Sequence, residues 1–162
     1  MKIGYKITPI VIIFITLTIS CQKQLNTSYL EIEKQSVEKA IRNSIGWAKN
    51  KDINLLYSII NNNENYVEVD PNDKVVRGFK EFKKAEDFWM NNDFKAISYE
   101  IKDLIINFSK SGDVAWFFCM LDDINEWKGQ PANWENTRWT GVLENIDGNW
   151  IIMQMHFSFA KG

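Results

Sequence analysis

The chain has 162 residues, 45% of them hydrophobic and 14% aromatic, enough for one domain with a substantial core and no disulfide or metal staple. Its 19 basic residues are outnumbered by 21 acidic ones, giving a net charge of -2. That balance lacks the clustered positive footprint of a nucleic-acid binder.

Taken in chain order, Lys2 and Lys6 precede an apolar run from Ile7 to Ile19 that ends at Ser20-Cys21. A positive start, a short apolar run and a small residue form the pattern of a secretory signal. The run falls short of the roughly 20 residues that span a bilayer. Leu17-Thr18-Ile19-Ser20-Cys21 resembles the bacterial lipobox, with Thr18 at the position where a large aliphatic residue is usual. The resemblance implies cleavage before Cys21 and a lipid on that cysteine. The protein would then sit in the cell envelope, on the periplasmic side or at the cell surface. Residues 1–20 are accordingly read as a signal peptide, 21–29 as a lipidated polar tether and 30–162 as the folded domain. Only Cys119 then remains, inside an apolar run, where a small buried hydrophobe is expected rather than a nucleophile.

A helical period opens at Tyr29, with Val37, Ala40, Ile41, Ser44, Ile45 and Ala48 on one stripe. Asp52 fits the N-cap of a second helix over Ile53–Ile60, closed by Asn61-Asn62-Asn63. From Asn65 to Asp70 the side chains alternate, Tyr66, Glu68 and Asp70 against Val67 and Val69, which predicts a strand. After the turn at Pro71-Asn72-Asp73, Val75-Val76 resume extended structure. Gly78 opens a third helix from Phe79 to about Met90.

The remainder reads as sheet. Ile97–Phe108 alternates, Val114–Leu121 is apolar almost throughout, and Thr137–Glu144 with Trp150–Phe159 form a closing hairpin over Asp147-Gly148-Asn149. A loop is expected from Asp122 to Asn136, with Trp127 and Trp134 as candidate lid aromatics. Helices grouped on one side of an antiparallel sheet define an α+β fold. A strand apolar on both faces needs cover on both. The helices supply one cover, and a homodimer through the outer face would supply the other.

Three stretches resemble the SnoaL-like branch of the nuclear transport factor two-like superfamily. They are Arg77-Gly78-Phe79-Lys80-Glu81-Phe82, Trp116 in the central strand, and the closing segment from Arg138-Trp139-Thr140-Gly141 through Gly148-Asn149-Trp150 to His156-Phe157-Ser158. The resemblance spans roughly Tyr29 to Phe159. It implies a cone, a strongly bent antiparallel sheet wrapped around N-terminal helices, with a pocket at its wide end. Members of the superfamily include isomerases, cyclases, dehydratases and non-catalytic binding or assembly domains.

Candidate chemistry follows from residue type and face. His156, the single histidine, suits acid–base work or a structural hydrogen bond, and simple alternation puts it on one face with Trp150, Ile152, Gln154 and Ser158. Arg138 could clamp a ligand carboxylate or serve a structural ion pair. Asp70 is the leading carboxylate, with Glu68 also available, although a turn aspartate before a proline has local hydrogen-bonding duties. Asp122-Asp123 reads as the start of the loop. Tyr66, Trp89, Trp116, Trp134 and Trp139 are candidate pocket aromatics. No metal-ligand spacing or cofactor fingerprint is present, so no cofactor is expected. Three functions stay open: a domain binding a small, partly apolar molecule; an isomerase or lyase using His156 with Arg138 or Asp70; and a protein-assembly module.

Overall fold

A computed structural model describes residues 27–159. The leader and Cys21 lie outside the described residues. Helix α1, Thr27–Gly46, buries Val37, Ala40, Ile41 and Ser44 as one stripe. It is fixed to the far end of the sheet by Trp150, whose Nε1 donates to Glu33 Oε2 at 2.7 Å. A 3-10 turn, Trp47–Lys49, leads to α2, Ile53–Ile59, capped as expected by Asp52, which accepts from the Leu55 N–H at 3.0 Å. Among the described residues no helix is long and apolar enough to cross a membrane.

The third helix is not continuous. It breaks into α3 (Phe79–Phe82), a 3-10 turn (Lys83–Ala85) and α4 (Glu86–Trp89). The docking of its rings accounts for this. Phe79 meets Tyr57, Phe82 meets Tyr66, and Trp89 meets Trp47, with ring centroids 5.1 to 5.6 Å apart. Each ring answers to a partner outside the segment, which overrides its weak helical propensity.

Seven strands form one curled, unclosed sheet: β1 (Val67–Val69), β2 (Val75–Arg77), β3 (Phe94–Phe108), β4 (Val114–Trp127), β5 (Gln130–Pro131), β6 (Trp134–Ile146) and β7 (Asn149–Phe159). Their order is β2-β1-β7-β6-β4-β3, with β5 beside β4. Only β1 and β7 run parallel; the other named strand pairs are antiparallel. The helices fill the concave side, so the fold is the α+β cone expected. Gly141 allows a close approach on that side, since a Cβ there would fall 2.5 Å from Phe117 Cε1 and 2.8 Å from the Gln154 carbonyl oxygen.

Two local readings of the sequence fail, each for a definable reason. The loop expected over Asp122–Asn136 is instead a hairpin, because β4 runs on to Trp127 and β6 begins at Trp134. Lys128 and Gly129, with φ of 51° and 76°, make the tight turn between Trp127 and Gln130. The polar residues that suggested a loop sit on strands, after a register shift between Leu121 and Asp123.

The second failure is the face of His156. In the β6–β7 ladder Val142 pairs with Gln154 but Leu143 with Ile152, leaving Met153 as an extra residue. The bulge reverses the alternation. Trp150 and Ile152 point inward before it, and Met155 and Phe157 point inward after it. Gln154, His156 and Ser158 therefore lie on the outer face.

Candidate functional site

Between the helices and the concave face lies a cavity of about 340 Å³. Ser44 and Ile45 of α1, then Trp47, Ala48 and Leu56, close it on the helical side. Phe82, Phe88, Trp89 and Phe94 form an aromatic flank, and Trp134, Met155 and Phe157 form the sheet floor. Into these mainly apolar walls project Glu68, Asp70, Asp123 and Asn125, with no Lys, Arg or His among the lining residues.

The acidic groups stand at two poles. Glu68 and Asp70 come from β1 and its exit, and Asp123 and Asn125 from β4. At the first pole Tyr66, itself fully buried, donates its hydroxyl to Glu68 Oε2 at 2.6 Å. Burial pushes the Glu68 carboxyl up to about 8, a rise opposed by the Tyr66 hydrogen bond and Lys74 and reinforced by Asp70. The largely exposed Lys74 reaches Asp70, Nζ to Oδ2 at 2.8 Å. Charge at this pole is thus either protonated or matched.

The second pole is not matched. Burial raises the Asp123 carboxyl, with only the Asn125 amide drawing it down. Asn125 is 7% exposed, and its Oδ1 has no hydrogen-bond partner. Asp123 and Trp134 are register partners on neighbouring strands, which sets their Cβ atoms roughly 5 Å apart. Trp134 continues into Phe157, ring to ring at 5.3 Å.

The residues singled out from sequence are distributed unevenly around this site. Asp70, Trp89 and Trp134 border the cavity. Tyr66 supports Glu68 from behind. Trp139 is fully buried beneath the floor, stacked on Phe157. Trp116 lies on the outer face, 46% exposed, where it borders a shallow hollow with Thr140 and Gln154 and not the cavity inside the cone. Arg138 and His156 do sit on adjacent strands and a common face, paired with Ser158 and Thr140 respectively. That face is the convex one, however, and Arg138 is exposed and donates Nη2 to the Phe159 carbonyl at 2.6 Å. Neither residue lines the cavity. Trp127, expected to act as a lid, packs against Phe88 outside it. Cys119 is buried, and burial pushes its thiol up to about 12, as suits an inert packing residue.

Asp123 and Asn125 are site residues that the sequence reading does not single out, and Glu68, read there only as an available carboxylate, lines the cavity beside Asp70. A signal existed for Glu68: alternation places it with Tyr66 and Asp70 on one face, and a strand this close to the core turns one face inward. For Asp123 and Asn125 the signal is the alternation of β4, which runs unbroken from Leu121 through both residues once the strand is extended past Leu121.

Residues 37–161 match the model of the SnoaL-like domain family, and the chain belongs to that family. No curated protein sequence matches it. Solved structures share the fold at low identity. A "Putative Scytalone Dehydratase" from Novosphingobium aromaticivorans is 13% identical with a TM-score of 0.70, covering 84% of this chain and 89% of that one. A ketosteroid isomerase-like protein from Erwinia carotovora atroseptica is 17% identical with a TM-score of 0.60, covering 80% and 98%. An NTF2-like protein from Cytophaga hutchinsonii is 13% identical with a TM-score of 0.64, covering 79% and 98%.

Proposed function

We propose that this is a SnoaL-like domain, anchored to the cell envelope through lipid on Cys21, that binds a small and largely apolar molecule inside the cone. The observation that carries the reading is the cavity itself: about 340 Å³ of space, within the size range of small-molecule sites, walled by rings and carrying a few converging polar groups. Any proton transfer would fall to Glu68, Asp70 or Asp123, because these line the space and His156 does not.

Uptake of a neutral solvatochromic dye tests it. The wild-type chain should bind Nile red with a blue-shifted emission, and Ala48→Trp, which fills the cavity from the helical side, should abolish the uptake while leaving the far-ultraviolet circular dichroism intact. Undiminished uptake in the filled variant refutes the pocket.

Self-association is a second reading, favoured by the outer sheet face. Ile105 and Trp116, on the paired strands β3 and β4, are 55% and 46% exposed there, apolar surface that a second copy would cover. One measurement checks both attachments. Native mass spectrometry of the chain extracted from membranes should give pairs of protomers, each beginning at an acylated Cys21. A monomer of uncleaved mass would contradict both.

A further inference from the structure

We infer that the cavity selects an organic ammonium, its N–H groups given to the Asp123 carboxylate and Asn125 Oδ1 and its apolar body laid against Trp134 and Phe157. This rests on the pocket reading above and names the ligand class of that site. Three independent features converge. Asp123 is a carboxylate turned into apolar space that forms no ion pair among the described residues, whereas Asp70 has Lys74. Asn125 Oδ1, in a side chain more than nine-tenths buried, is an acceptor without a donor. An acceptor left bare inside a protein is unfavourable unless something else fills it, and a ligand N–H would fill it. Finally, Trp134 stands beside Asp123 across the ladder, and an indole face attracts a cation at close range.

The remaining polar groups agree with this choice. Ser44 spends its hydroxyl on the Ile41 carbonyl at 2.9 Å, and the Asn125 Nδ2 is turned to the Asp123 carbonyl at 3.4 Å. Lining side chains offer no cation to a ligand carboxylate or phosphate. An anion would meet the Asp123 carboxylate with no lining cation to offset it.

A matched series separates charge from shape. Tryptophan fluorescence of the purified chain is titrated at neutral pH with 2-phenylethylammonium, 2-phenylethanol and 3-phenylpropionate, with Trp47, Trp89 and Trp134 as reporters in the cavity wall. The ammonium should bind about tenfold or more tighter than the alcohol, and the carboxylate weakest. Asp123→Asn should weaken binding of the ammonium about tenfold or more and bring its affinity down to that of the alcohol in the same variant. Binding of the ammonium no tighter than the alcohol, or none at all, overturns the inference. So does an advantage that survives Asp123→Asn. The pocket itself is judged separately by dye uptake in Ala48→Trp, so failure of the ammonium preference and failure of the pocket are distinct results.

Discussion

Replacing Trp139 by alanine is expected to destabilise the domain by about 3–5 kcal/mol, the largest effect of any single change in the core. The indole is fully buried, stacked on Phe157 at 5.3 Å with planes 19° apart, and meets Phe117 edge-on at 5.0 Å and 89°. Deleting it opens a void under the cavity floor that the β-ladder on either side cannot collapse to fill. Trp139→Phe should cost much less. It keeps the ring contact and also removes an indole N–H that has no partner, a group that is itself unfavourable when buried. Urea unfolding of both variants checks the contrast. Equal losses in the two would mean that the stacked ring is not what holds the floor.

Glu68 should make stability fall as pH rises. Its folded carboxyl titrates at about 8 against an ordinary value of 4.5, so the unfolded chain gives up its proton first. The sign follows directly: this contribution is fully present below about pH 4.5 and is lost progressively as pH rises toward 8. The span corresponds to a change on the order of 4 kcal/mol. The charged groups around Glu68 are Asp70 and Lys74 on the β1–β2 turn and Glu81 and Lys84 on the third helical segment, with Tyr66 donating from the same strand. None of the lysines forms an ion pair with Glu68; Lys74 pairs with Asp70 and Lys84 with Glu81. Glu68→Gln keeps an acceptor for Tyr66 but cannot ionise. Its melting temperature should vary far less between pH 5 and 8 than that of the wild type. A variant whose pH profile runs parallel to the wild type would place the titration elsewhere.

The elements with strong local signals were legible in the sequence. The buried stripe of α1, the Asp52 cap and the Asp147-Gly148 turn, whose φ values are 52° and 84°, all follow from residue type and spacing. The motifs of the closing segment indicated the family and hence the cone. The site is less legible because one face is reversed by a bulge in β7 and because β4 runs on through polar residues that resemble a loop. Alternation carried past Met153 puts His156 with the buried Trp150, and the bulge there, invisible in a list of side chains, undoes that inference. Asp123 and Asn125 continue the inward alternation of β4 past Leu121, yet they read as loop residues, because polar side chains in a strand have no purpose until a cavity is known. Trp116 shows the limit of composition: a large ring in a central strand is expected to be covered, and here it stands 46% exposed on the outer face.

The parallel pairing of β1 with β7 sets a condition on when the protein can work. Val67, Glu68 and Val69 are held in place by Gln154, Met155 and His156, the last strand of the described chain to be synthesised. Until that strand is home, one acidic wall has nothing to lean on and the floor lacks Met155 and Phe157. A nascent or clipped chain could therefore possess every helix and most of the sheet and still hold no ligand. On the binding reading proposed above, the site is assembled only once β7, Asn149–Phe159, has paired with β1 and β6.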